Sequence, residues 1–271
     1  MMMGDNRYAY AVLLAAVCGA ALWLMLGRRA KLRGALMAAA VPLCAALGWL
    51  LARLYVIAAR ELVSGYGVMS VFSPYPFDYA MCGALLGVLL GAVLCARVFG
   101  EKAARVLDCA APAGLLTLAI ARFGEVYSDF GWGQLVEDAL WQRLPFAVSD
   151  MYGMWHSAVF VLEAIAALAV LAFVMTRRGK EDGVRFALAL LWLSMTQIFC
   201  ESLRAETIRW GFVRVQQINC LIFALAILLV YAKKRRAGAR KLGASLAVFA
   251  AGVGLLVFVE YALDKLPFIP H

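Results

Sequence analysis

Apolar residues run along this chain in eight blocks of about twenty, separated by short polar or basic breaks. The blocks are residues 8–27, 34–57, 79–99, 106–123, 154–176, 185–204, 214–232 and 243–263. A helix rises about 1.5 Å per residue, so about 20 apolar residues cross a hydrocarbon core of about 30 Å. Inside lipid the backbone must satisfy its own hydrogen bonds, which makes the helix the expected form of each block. The pattern therefore predicts an all-α polytopic membrane protein folded as one bundle. Residues 1–232 form its main membrane domain. Residues 233–271 add a basic cytoplasmic loop, the eighth span and a short outer tail.

The breaks between blocks alternate in charge. One set of ends carries Arg28, Arg29, Lys31 and Arg33, then Arg97, Lys102 and Arg105. It continues with Arg177, Arg178, Lys180 and Arg185, and closes with Lys233, Lys234, Arg235, Arg236, Arg240 and Lys241. These are 17 of the 26 basic residues. Basic loops stay on the cytoplasmic side, so the N-terminus is expected outside. Only Arg7 precedes the first block and its basic cluster follows it, as in an anchored helix rather than a cleaved signal. The opposite face bears two longer loops, 58–78 and 124–153, rich in Tyr, Trp and Phe. Long loops on one face are where a site is built.

Composition agrees with the pattern. The 271 residues are 65% hydrophobic and 16% charged, against roughly half and a quarter for a soluble domain. That excludes a soluble enzyme, a secreted disulfide scaffold and a disordered chain. The net charge of +9 is mostly the topology signal, and no basic–aromatic interleaving suggests nucleic acid. Most of the seven cysteines read as small core hydrophobes, since all lie in or beside apolar blocks without metal-ligand spacing. No His/Asp/Glu cluster and no phosphate-binding glycine loop calls for a metal or cofactor.

The informative residues are the charges placed where lipid should be. An Arg or Asp at mid-membrane costs about 2.5–3.5 kcal/mol by insertion scales. Arg53, Arg122, Glu201 and Arg204 all lie near the outer ends of their blocks. Three arginines from three helices at one depth suggest an anion site, because guanidinium binds phosphate through a planar fork. The phosphate abundant at that depth belongs to an anionic phospholipid. The plainer alternative is that each arginine snorkels to the interface alone. Glu201 and Arg204 are i, i+3 and are expected to pair. Asp108 and Pro112 mark the start of the fourth span, where an acidic residue favours the helix N-terminus. Glu163 falls in mid-span and needs a partner, most simply a structural hydrogen bond; His156 reads as a polar cap on the same span.

Residues 121–133 read A-R-F-G-E-V-Y-S-D-F-G-W-G. This resembles the prolipoprotein diacylglyceryl transferase signature G-R-x-G-N-F-x-N-x-E-x-x-G, with Arg122, Gly124 and Gly133 matching in register. Other pieces follow in the family's order. Tyr8 and the Arg28-Arg29-Ala30 end resemble its opening helix, and Ala52-Arg53-Leu54-Tyr55 its G-R-x-G-Y. Residues Gly83 to Gly87 resemble G-G-L-I-G, and Asp108 to Pro112 resemble D-x-x-A-P. Glu201 to Arg204 resemble E-F-F-R, and Gln217-Ile218 the later G-Q-I.

The resemblance covers residues 8–232 and implies a seven-helix bundle, with the helix at 243–263 appended. It implies transfer of a diacylglyceryl group from phosphatidylglycerol to a lipobox cysteine thiol of a prolipoprotein, at the outer leaflet of the bacterial cytoplasmic membrane. Arg122 and Arg204, with Arg53, would hold the phosphate; Gly124 and Gly133 would permit close approach; Tyr8 would offer a hydroxyl. The chain also departs from the pattern. The family's histidine falls on Cys82, its first Asn on Glu125, its second on Ser128, its Glu on Phe130 and one arginine on Gln197. The base would then be Glu125 or Asp129, or the substrate thiolate would suffice. A non-catalytic or acceptor-shifted descendant, binding anionic phospholipid or a lipoprotein signal peptide, is the alternative. A small transporter ranks last, for want of internal repeats or interrupted helices.

Overall fold

The structure is a computed structural model of the 271-residue chain. It describes residues 6–64, 72, 79–128, 131–143, 146–150, 152–177, 181–205, 207–210 and 213–234. It also describes residues 243, 246–247, 249–255, 258 and 261. Seven of the eight apolar blocks are long helices: α1 Arg7–Arg29, α2 Gly34–Ser64, α3 Met81–Val98, α4 Ala103–Gly124, α6 Val159–Thr176, α7 Val184–Leu203 and α8 Val215–Lys234. A four-residue helix, α5 Ala139–Gln142, lies in the long loop. Among the described residues six of these helices are long and apolar enough to cross a membrane, and α8 carries a shorter apolar stretch, Val215–Val230. The chain is an all-α polytopic membrane protein. Of the eighth block, residues 249–255 are helical, and much of the rest lies outside the described residues.

Close packing in lipid relies on small residues, because lipid tails are as apolar as leucine and provide no hydrophobic drive between helices. Here α3 presents Gly83, Gly87 and Gly91 at four-residue spacing to α2. A Cβ on Gly83 would stand 2.8 Å from Ala52 Cα, one on Gly87 2.6 Å from Gly48 N, and one on Gly91 3.1 Å from Cys44 Cα. The Cys44 thiol donates to the Val88 carbonyl at 3.5 Å across the same seam. The α1–α4 seam follows the same rule, with Gly124 on Ala11 and Gly19 on Ala113. Toward the basic end the helices close on a core that includes Trp23, Leu36, Met37, Ala96, Val106 and Cys109. Trp23 Nε1 donates there to the Met37 carbonyl at 3.1 Å.

Asp108 caps a helix other than its own. It lies in the second turn of α4, but its Oδ2 accepts from Gly183 N at 2.7 Å and its Oδ1 from Phe186 N at 2.8 Å. It thus satisfies two free N–H groups at the start of α7, following a Gly183 with φ +94°. Asp108→Ala is expected to cost about 0.5–2 kcal/mol, the range for lost N-caps. The check is the thermal midpoint in detergent against Asp108→Asn, which keeps an acceptor.

The fifth span starts later than its hydrophobicity suggests. The apolar pattern predicts helix from residue 154, yet α6 begins at Val159, and Trp155–Ser157 form strand β2. β2 pairs antiparallel with β1, Ala147–Ser149. The cause lies in the turn. Asp150 Oδ1 accepts from Tyr152 N and Met154 N, both at 2.8 Å, and Gly153 takes φ +78°. The backbone amides are thereby drawn into a hairpin before the helix can begin. A second small hairpin, β3 Arg209–Trp210 with β4 Val213–Arg214, joins α7 to α8.

Candidate active site

Four helix ends meet at the end of the bundle opposite the basic loops: the C-termini of α4 and α7 and the N-termini of α6 and α8. At their centre is Glu163, which is 0% exposed. The late start of α6 puts it in the second turn of the helix rather than at mid-span. Arg204 grips it in a fork: Nε donates to Oε1 at 2.8 Å and Nη2 to Oε2 at 2.9 Å. Arg122 Nε reaches the same Oε2 at 2.6 Å. One carboxylate therefore brings two arginines from different helices side by side.

A second carboxylate touches the same pair. Glu125 follows α4 in a single 3₁₀ turn, Glu125–Tyr127. Its Oε1 accepts from Arg122 Nη1, and its Oε2 lies 3.8 Å from Arg204 Nη2. Glu201 is farther, with Oε2 3.8 Å from Arg204 Nε. The expected i, i+3 pair is thus secondary, and Glu163 is the principal partner of Arg204. Arg122 Nη2 also meets Met81 Sδ at 3.5 Å, which ties the start of α3 to the cluster.

Arg53 is buried on α2, one residue from Ala52, whose carbonyl accepts from Ala80 N at 3.1 Å beside Met81. It belongs to this end of the bundle; the arginines that share Glu163 are Arg122 and Arg204. Tyr8 lies close enough to Glu125 and Arg122 to feel both charges, and Gly124 lets α4 pack on Ala11 and Tyr8. Cys82 is buried, and its thiol faces that of Cys220 on α8. All seven cysteines are free. Gln197, at the family's arginine position, is 1% exposed and lies beside Glu163, with neither amide atom in good hydrogen-bond geometry. Asp129 lies outside the described residues.

Gly133 sits where the long loop crosses the site. Its N–H donates to the Ser157 carbonyl at 2.7 Å, and it forms an antiparallel bridge with Arg204. A Cβ there would stand 2.6 Å from the Leu203 carbonyl. His156 is more than a cap: it stacks on Trp132 at 4.9 Å and faces Asp150 Oδ2 at 3.4 Å. Burial alone would raise the Asp150 carboxyl. The N–H groups of Met154 and Tyr152, with His156, outweigh it and hold the carboxyl below its ordinary range.

Three contributors are not evident from the sequence. Glu163 has its partners on other helices. Gly131, at φ +78°, leaves no room for a side chain against the Glu125 carboxylate. Arg214 is buried; its Nη1 donates to the Glu201 and Arg204 carbonyls at 2.5 Å each, and its Nη2 to Ser202 at 3.2 Å. It closes the C-terminus of α7, where free carbonyls and the helix dipole favour a cation.

A helical membrane bundle with a buried arginine–carboxylate network at one end of its helices frames this site. The family model for prolipoprotein diacylglyceryl transferase matches residues 6–233, and the chain belongs to that family. Similar proteins include the phosphatidylglycerol–prolipoprotein diacylglyceryl transferase of Listeria innocua, 29% identical over 161 residues, 56% of this chain and 58% of the relative. The protein of the same name from Clostridium novyi is 27% identical over 187 residues, 67% of this chain and 73% of the relative. That from Bacillus licheniformis is 26% identical over 167 residues, 59% of this chain and 62% of the relative. The chain therefore spans less than two thirds of the length of the Listeria and Bacillus relatives.

Proposed function

We propose that this chain moves a diacylglyceryl group from phosphatidylglycerol to the thiol of a lipobox cysteine in a prolipoprotein. The reaction would take place at the outer leaflet of a bacterial cytoplasmic membrane, with the N-terminus outside. The observation that carries this reading is the side-by-side placement of Arg122 and Arg204 by Glu163. Two adjacent guanidinium groups suit a lipid phosphate and offset the charge that grows on it as glycerol phosphate leaves. The thiol sulfur forms the new bond to the diacylglyceryl carbon as the carbon–oxygen bond to phosphate breaks. The thiol proton passes to the carboxylate of Glu125 or Asp129. Arg53, Tyr8, Gly124, Gly133, Cys82 and Glu201 line or support the substrate site. Cys82, buried against Cys220, is not assigned as a base.

A second reading rests on Cys82 and Gln197, which replace a histidine and an arginine of the family pattern. Under it the chain binds anionic phospholipid or a lipoprotein signal peptide without transfer. Expression in a strain depleted of its own transferase, fed a click-tagged lipid, separates the two. Rescue with labelled lipoprotein is expected, and Arg122→Ala should cut labelling by about a hundredfold or more. Absence of labelling and of rescue would overturn transfer. Undiminished phosphatidylglycerol binding by Arg122→Ala would overturn the phosphate role itself.

A further inference from the structure

Glu125 occupies the arginine pair in a particular way. Glu163 takes Arg122 Nε and both Nε and Nη2 of Arg204, and lies deepest. Glu125 takes the Nη side, with one oxygen toward Arg122 Nη1 and the other 3.8 Å from Arg204 Nη2. A phosphate bridging the two arginines would set two of its oxygens against those same nitrogens. The Glu125 carboxylate is held there from both sides. It rides on the 3₁₀ turn directly after α4, and the Gly131 backbone backs onto its Oε2. It is buried, so it is not a solvated bystander that an entering anion can ignore.

We infer that Glu125 is a specificity-determining residue: an internal anion that competes with lipid phosphate for the Nη atoms of Arg122 and Arg204. The inference rests on the phosphate reading proposed above. A headgroup phosphate enters only by displacing the Glu125 carboxylate, since two anions on one guanidinium face repel each other in a low-dielectric site. Glu163 shares Arg204 Nη2 with Glu125, but it is fully enclosed and held by both arginines, so it stays in place. The chain is thereby tuned to weaker binding of anionic lipid than a neutral amide at position 125 would allow.

The test is lipid binding by the full chain in detergent, titrated with phosphatidylglycerol and, separately, phosphatidylcholine, read by native mass spectrometry. Turnover does not enter the readout, so a proton-transfer role for Glu125 does not confound it. Glu125→Gln is expected to bind phosphatidylglycerol about ten- to a hundredfold tighter, the worth of one charge-assisted hydrogen bond recovered. Phosphatidylcholine has the same phosphate with a compensating cation and should gain less. Glu125→Asn serves as the second variant should the glutamine form fold poorly. Equal binding by wild type and both variants, still lost in Arg122→Ala, would overturn the competition and leave the phosphate site standing. If Arg122→Ala/Glu125→Gln binds as tightly as Glu125→Gln alone, the phosphate reading fails as well.

Discussion

Replacing Glu163 by alanine is expected to cost about 3–5 kcal/mol, the range for removing one partner of a buried ion pair. The carboxylate is fully enclosed and serves two arginines at once. Without it, Arg204 loses both hydrogen bonds of its fork and Arg122 Nε its close carboxylate, leaving Glu125 and the more distant Glu201. Repulsion between the two cations, now bridged by Glu125 alone, adds to the loss. Glu163→Gln keeps an acceptor but not the charge, so it should fall between wild type and alanine. Thermal unfolding in detergent orders the three proteins. An alanine variant within about 1 kcal/mol of wild type would mean that the two arginines do not depend on this carboxylate.

The second large effect is steric. Gly87→Val puts a branched side chain against the α2 backbone, where even a Cβ would meet Leu47 C at 2.5 Å and Gly48 N at 2.6 Å. Neither contact is with a flexible side chain, so the helices must separate along the whole seam. Overpacking of a tight core costs about 1–3 kcal/mol, and rigid backbone on the far side places this site at the upper end. Gly114 is the matched control. It lies inside α4, and among the described residues nothing beyond its own helix backbone comes within 4 Å of where a Cβ would stand. Gly114→Ala should be neutral or stabilising by up to about 1 kcal/mol through helix propensity and unfolded-state entropy. Equal stability of Gly87→Val and Gly114→Ala would sink the close-packing account of α3.

Much of this fold is legible in the amino-acid sequence. Lipid selects long uninterrupted apolar runs, so α1 to α4 and α6 to α8 can be read from hydrophobicity alone. Arg122 and Arg204 are legible as well, because charge in such a run is costly and rare. Their mutual placement is not. It depends on Glu163, which from the sequence is one acidic residue in an apolar span. Arg214 is hidden for the same reason: it binds main-chain carbonyls at the C-terminal end of α7, which carry no sequence signature. The start of α6 is misread because the hydrophobicity of residues 154–158 outvotes an Asp150 turn that acts through backbone hydrogen bonds. Asp108 shows a role legible in kind but not in address, since its preference for a helix N-terminus is fulfilled on α7.

The order of the charges along the chain also bears on biogenesis. Ribosomes deliver Arg122 to the membrane before Glu163 exists, because Glu163 follows it by 41 residues and Arg204 comes 41 residues later still. The acidic residue made almost together with Arg122 is Glu125, three positions on. A newly inserted α4 therefore carries its own neutralising partner. The local pair is thus available to offset Arg122 from the moment α4 is made, whereas the interhelical pair requires α6 to have been synthesised.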